Sequence, residues 1–263
     1  GIAIDEHGWL YTGSALSDFS SKGPIFRISP DGKVVEKFAD TSGRVLGLAF
    51  DKNGVLFTCD VQRHAVIALD QNGRSTLFAD KVNDQSIQKP NFIVFDQFGN
   101  LFVSDSGTAK AGEATGAIYR FTPDGYGQIL LDNLIFPNGL AFDPDFKNLY
   151  VVLTRDNCVI KVPISKDGVA GEPMIFAEGL CCGPDGIAVH QNGEVYVTIT
   201  RPSQIIKYSP DGEKLAYILD TEDCLLAAPS NIAFNQAEAD DKDIFIANLF
   251  GHHISCIKMR MMH

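Results

Sequence analysis

Gly139-Leu140-Ala141-Phe142-Asp143 is an apolar run of strand length ending on a turn residue, and it does not stand alone. Close relatives of it are Gly1-Ile2-Ala3-Ile4-Asp5, Gly47-Leu48-Ala49-Phe50-Asp51, Phe92-Ile93-Val94-Phe95-Asp96, Gly186-Ile187-Ala188-Val189-His190 and Asn231-Ile232-Ala233-Phe234-Asn235. The copies start at residues 1, 47, 92, 139, 186 and 231, so they are 45 to 47 residues apart. A period of about 40–50 residues is the spacing of a four-stranded propeller blade. The predicted fold is therefore all-β: a six-bladed β-propeller with four antiparallel strands per blade. It fills one domain over residues 1–263, with blades starting near the six positions above.

The residues between anchors supply the rest of each blade. Hairpin signals such as Asp51-Lys52-Asn53-Gly54 and Asp96-Gln97-Phe98-Gly99 follow the anchors, and Gly and Asn there provide the positive φ of a tight turn. Second strands follow, among them Trp9-Leu10-Tyr11-Thr12, Leu101-Phe102-Val103-Ser104 and Val195-Tyr196-Val197-Thr198. Third strands alternate, as in Gln204-Ile205-Ile206-Lys207-Tyr208, and run into a second turn such as Ser209-Pro210-Asp211-Gly212. Fourth strands include Val34 to Phe38, Ser75 to Phe78 and Lys214 to Leu219. The last repeat ends after its third strand, near Ile257, and the tail Met259 to His263 carries no hairpin signal. Either a fourth strand from upstream of Gly1 covers that edge, or the sixth blade is left three-stranded. No segment has helical period, and Ala15 to Gly23, Lys81 to Lys89 and Gly107 to Gly116 read as irregular loops.

Composition bounds the function. With 33 acidic against 22 basic side chains the net charge is −11. This argues against nucleic acid or an anionic membrane as the main partner. No apolar run is long enough to span a bilayer, and no signal peptide is visible. Cys59, Cys158, Cys181, Cys182, Cys224 and Cys256 show no metal-finger spacing. They are expected as reduced thiols in a cytoplasm, with secretion as the alternative. Burial is the expected state of Cys181 and Cys182.

In a propeller the first strand of each blade lies nearest the axis, so the residue at its entrance points into the tunnel mouth. Those positions are Leu46, Asn91, Asn138, Asp185 and Ser230, and the ends of the second strands add Asp60, Asp105, Arg155, Arg201 and Asn248 at the rim. Oxygen donors converging from separate blades suit a hard cation. Asn and Asp also cap local backbone groups at strand starts, and Pro137-Asn138-Gly139 and Pro184-Asp185-Gly186 would read the same way as bare turns. His64, His190, His252 and His253 read as structural or solvent-exposed. Ser14, Ser104, Ser106 and Ser230 lack a nucleophile-elbow context, and Phe57, Phe102, Tyr150 and Tyr196 read as packing between blades.

Pro137-Asn138-Gly139-Leu140-Ala141-Phe142, Pro184-Asp185-Gly186-Ile187-Ala188, Lys89-Pro90-Asn91 and the recurring Leu-Tyr-Val and Leu-Phe-Val strands resemble the gluconolactonase, regucalcin (senescence marker protein) and luciferin-regenerating-enzyme family. The similarity covers essentially the whole chain. It implies one divalent metal in the tunnel, held by a Glu of the first blade, an Asn and an Asp. The last two fall on Asn138 and Asp185, and Asn91 falls on a pocket-lining Asn. The Glu would stand immediately before Gly1. Lys89 stands where the sugar-lactonase branch usually has Arg, and Lys lacks the planar two-pronged contact of Arg.

The function this implies is hydrolysis of a lactone or related ester, with the carbonyl polarised by the metal and Asp185 acting as general base on the attacking water or holding it for attack. Ca²⁺ is the expected ion on ligand hardness, ahead of Zn²⁺, Mg²⁺ or Mn²⁺. Asn91, Lys89 and Arg201 are the candidates for orienting substrate oxygens. Two rival readings share the fold: a non-enzymatic ligand- or protein-binding propeller with a structural metal, and a propeller enzyme of organophosphate-hydrolase or strictosidine-synthase type.

Overall fold

A computed structural model describes residues 1–13, 23–108, 110, 112–220, 222, 225–235, 243–250 and 253–258. Ser14, most of the Ala15–Gly23 excursion, Cys224, His252 and the tail from Met259 lie outside the described residues. No helix occurs among those described.

The strands fall into six antiparallel blade sheets, each laid down in simple sequence order. Blade one comprises Ile2–Ile4, Leu10–Gly13, Ile25–Ile28 and Val35–Ala39; blade two Val45–Phe50, Leu56–Asp60, Ala65–Leu69 and Ser75–Ala79. Blade three is Pro90–Phe95, Leu101–Asp105, Gly116–Phe121 and Gly127–Leu134; blade four Pro137–Phe142, Asn148–Leu153, Cys158–Pro163 and Met174–Ala177. Blade five has Pro184–Val189, Val195–Ile199, Gln204–Tyr208 and Lys214–Leu219. Blade six has three strands among the described residues: Pro229–Phe234, Ile244–Asn248 and Ile254–Ile257. First strands touch their neighbours in turn, and Pro229–Phe234 returns to Ile2–Ile4, which closes the ring.

Two local expectations need correction. Trp9 stands one residue before the second strand of blade one, half-buried with the Arg27 guanidinium 5.0 Å from its ring centroid. Within Lys81–Lys89 a small hairpin pairs Lys81–Val82 with Gln85–Ser86. Asn83 takes a φ of 54° in its turn, a conformation Asn tolerates well.

The core is divided between blades rather than gathered in one place. Six hydrophobic clusters each join side chains of two adjacent blades; Phe92, Phe102 and Leu140, Val151, for example, join blades three and four. Edge-to-face ring pairs cross these seams: Phe57–Phe95 at 5.2 Å, Phe102–Phe142 at 4.9 Å and Tyr196–Phe234 at 5.2 Å between centroids. The anchor turns are fixed by their aspartates. Asp96 Oδ1 accepts from the Phe98 and Asn100 amides at 2.9 and 2.8 Å, for instance.

Candidate functional site

The innermost strands share an irregularity that builds the mouth. Strand pairing shifts register between Val45 and Leu48, Pro90 and Phe92, Pro137 and Leu140, Pro184 and Ile187, and Pro229 and Asn231. Leu46, Asn91, Asn138, Asp185 and Ser230 sit in these bulges, which release a residue from the ladder and re-aim its side chain. Glycine follows three of them for a steric reason. A Cβ on Gly139 would lie 2.6 Å from the Asp185 carbonyl oxygen, and one on Gly186 would lie 2.7 Å from that of Ser230. First strands thus meet backbone to backbone around the axis, at distances that exclude a side chain.

All five bulge residues line one cavity of about 620 Å³, together with Gly1, Arg44 and Asn231. The same space continues between blades six and one, past Phe26, Ile28, Phe245 and Ile254. Asn138 is buried, and Asn91 and Asp185 are half-buried. Burial raises the Asp185 carboxyl to about 7, and the Asn138 amide beside it acts in the opposite direction.

Of the remaining expected site residues, Asn248 reaches the cavity lining, and Lys89, Asp60, Asp105, Arg155 and Arg201 lie apart from it. Lys89 is half-buried, its ammonium 4.9 Å from the Phe136 ring centroid, and Arg155 lies 4.8 Å from the same ring. Burial, then the charges of Arg44 and Arg155, lower the Lys89 pKa. Arg201 is exposed, 5.8 Å from the Phe250 ring centroid. Asp105 is turned into its own loop, where it accepts from the Gln88, Lys89 and Gly107 amides at 2.7, 2.7 and 2.9 Å and from the Tyr119 hydroxyl at 3.2 Å. Asp60 Oδ1 likewise accepts from the Arg44, Gln62 and Arg63 amides, while its buried Oδ2 has no hydrogen-bond partner. Asn248 accepts from Ala227 N and donates to Ser255 Oγ. The ends of the second strands therefore organise loops, because a carboxylate or amide at a strand end is captured by nearby backbone amides.

Two further expectations change. Cys181 and Cys182 are exposed rather than buried, in the bend that leads into blade five, where Cys182 takes a φ of 61°. His253 is half-buried and lines the cavity, within 3.3 Å of the Leu225 carbonyl. Arg44 was not among the expected residues, yet it stands two residues before Leu46, as Lys89 stands two before Asn91. Reading that offset across blades would have found it.

No group of three or more His, Cys, Asp or Glu side chains gathers among the described residues. The donors at the bulges are instead one carboxylate and two amide oxygens, a hard-oxygen set of low charge. Such a set suits a cation that keeps several waters and does not suit a tetrahedral nitrogen–sulfur site.

A ring of six antiparallel blades closed around one axis defines the class: a six-bladed β-propeller. More narrowly, the chain belongs to the SMP-30/Gluconolactonase/LRE-like family, whose sequence model matches residues 22–248. Lactonase drp35 of Staphylococcus saprophyticus is 26% identical over 234 residues, covering 83% of this chain and 68% of the relative. A gluconolactonase structure from Xanthomonas campestris is similar at a TM-score of 0.80 and 26% identity, over 94% of this chain and 82% of the other. The calcium-binding protein regucalcin of Agrobacterium tumefaciens shares the fold, at a TM-score of 0.76 and 20% identity over 94% of this chain and 80% of the other.

Proposed function

We propose that this protein is a lactonase that opens a small-molecule lactone with water, and that its activity depends on one divalent cation, Ca²⁺ first, at Asn138 and Asp185. The observation that carries the reading is the convergence of Asn91, Asn138 and Asp185 from three successive bulges onto one cavity. Family membership and the lactonase and gluconolactonase relatives support the substrate class. The calcium-binding relative supports the ion through the shared fold alone.

A cation held there supplies polarisation of the lactone carbonyl and stabilises the negative charge that develops on its oxygen. Asp185 accepts a hydrogen bond from the attacking water and directs its lone pair at the carbonyl carbon. A carboxylate that also faces a dication is a weak base, so its contribution is chiefly positional. Water adds to the carbonyl carbon, the ring carbon–oxygen bond breaks, and a hydroxy acid leaves. Asn138 adds an oxygen without adding charge. Asn91 and Arg44 orient substrate oxygens from within the cavity, and Lys89 and Arg201 do so from beyond its lining.

The test is turnover of a panel of sugar and aliphatic lactones by chelator-treated protein before and after Ca²⁺, Mg²⁺, Mn²⁺ or Zn²⁺ is restored. Hydrolysis of at least one lactone that is lost on chelation and regained with a divalent ion is expected. Metal binding without turnover of any lactone would favour a binding platform instead.

A further inference from the structure

Asparagine at a cavity wall has a choice that aspartate lacks: it can turn either its oxygen or its NH₂ toward the ligand. Side-chain amides are decided by their hydrogen-bond network, and here that network leaves one answer. Thr154 Oγ1 lies 2.7 Å from the Pro184 carbonyl oxygen and 3.1 Å from Asn138 Nδ2. A carbonyl oxygen can only accept, so the single hydroxyl proton of Thr154 goes to Pro184. The hydroxyl can then only accept from Asn138, which fixes Nδ2 on the wall side. With Nδ2 held there, Oδ1 is the atom left to the cavity that Asn138 lines. Ser106 repeats the arrangement one blade earlier: its hydroxyl donates to the Pro137 carbonyl at 2.8 Å and accepts from Asn91 Nδ2 at 3.0 Å.

The other blades act as an internal control. Ser106 and Thr154 occupy one repeated position, the residue whose amide donates to the carbonyl two residues before the mouth residue; Val61, Thr200 and Leu249 occupy it in blades two, five and six. Valine stands beside Leu46 and leucine beside Ser230, neither of which has an amide to orient. Thr200 stands beside Asp185, and its hydroxyl turns back to the Cys182 and Gly183 carbonyls of its own blade. A carboxylate presents acceptors whichever way it turns. A hydroxyl engages the mouth residue only where that residue is an asparagine.

We propose that Ser106 and Thr154 are positioning residues that lock Asn91 and Asn138 with their amide oxygens facing the cavity, making its wall acceptor-only from blade three to blade five. The Pro137 and Pro184 carbonyls that anchor these hydroxyls immediately precede Asn138 and Asp185 in sequence. Each amide is therefore registered to the next residue of the array. Such a wall favours a cation or a hydroxyl-rich ligand over an anion or a carbonyl oxygen. The consequence for Ca²⁺ rests on the proposed function; the amide orientation does not.

Two readouts separate these claims in full-length protein. Side-chain NH₂ signals of Asn91 and Asn138, assigned by their loss in Asn91→Asp and Asn138→Asp, report the lock by hydrogen exchange without any metal. In the wild type both should exchange slowly. Thr154→Val should speed the Asn138 signal at least tenfold without altering Asn91, and Thr154→Ser should restore it. Ser106→Ala should do the same to Asn91. Calorimetric titration with Ca²⁺ should then show affinity roughly 10- to 100-fold weaker in Thr154→Val and near wild type in Thr154→Ser. Unchanged exchange in Thr154→Val, or failure of serine to rescue it, would overturn the positioning roles. If wild type binds no Ca²⁺ while the exchange pattern appears as described, the lock stands and the metal-dependent reading falls.

Discussion

Ser104 Oγ in blade three donates a hydrogen bond to the backbone carbonyl of Asn138 in blade four at 2.7 Å, while accepting from the Phe92 amide of its own blade at 2.9 Å. Both backbone groups belong to the bulged first strands, where the ladder leaves polar atoms without their usual partners. One buried hydroxyl thus satisfies two blades at once. Ser104→Ala leaves an acceptor and a donor unpaired in a site closed to water, a loss of about 1–3 kcal/mol. Urea unfolding should show a lower midpoint with an unchanged slope. An unchanged midpoint would mean that water takes over both bonds.

Asp105 is a structural carboxylate, in contrast to Asp185, which is proposed to hold the ion. Asp105 is 1% exposed, and every partner it has is a loop amide or Tyr119. Asp105→Ala should cost upward of about 2 kcal/mol of stability and loosen the segment that carries Lys89. Its effect on Ca²⁺ affinity should stay within a few fold, measured by chemical unfolding and calorimetry on one preparation. Loss of Ca²⁺ binding with stability intact would exchange the two roles.

The pH dependence has a definite sign. Burial raises Asp185 to about 7 in the folded, metal-free protein, whereas an unfolded chain ionises it near about 3.9. Between these values the native state holds a proton that the unfolded state has released, so stability falls as pH rises. Metal-free protein should lose stability from about pH 4 to about pH 7 and then level off. Asp185→Asn should flatten that slope, read from unfolding midpoints across the window. A slope that survives the substitution would place the titrating group elsewhere.

Gly139 and Gly186 should tolerate no side chain. Gly139→Ala brings a methyl to 2.6 Å from the Asp185 carbonyl oxygen, so adjacent first strands must part. A thermal midpoint several degrees lower is expected, with Ca²⁺ affinity reduced as Asn138 and Asp185 separate. Gly32→Ala offers the comparison: its Cβ would meet nothing within 4 Å, and only the φ of 71° resists it. If both cost the same, close approach at the axis is not the constraint.

The repeat of Gly-Leu-Ala-Phe-Asp made the blades legible, because spacing and turn chemistry are local. So was the meeting of Asn91, Asn138 and Asp185, since equivalent repeat positions superpose around an axis. Asp60 and Asp105 share that periodicity and still point elsewhere, because nearby loop amides capture their side chains. Arg44 was hidden by standing before an apolar mouth residue, and the bulges by depending on pairing with another strand. Ser106 and Thr154 could be placed only once the neighbouring blade's carbonyls were positioned, because the bond that fixes them crosses between blades.

In the proposed function Asn138 and Asp185 hold the ion on which lactone hydrolysis depends. The most direct test is calorimetric titration of chelator-treated protein with Ca²⁺, in the wild type and in Asp185→Ala, with initial rates of lactone opening followed in the same samples. One site is expected in the wild type, with rates that rise in step with its occupancy, and loss of both binding and rate in Asp185→Ala with the fold retained. Full lactone turnover by Asp185→Ala, or a wild-type rate indifferent to Ca²⁺ and to every other divalent ion, would contradict it.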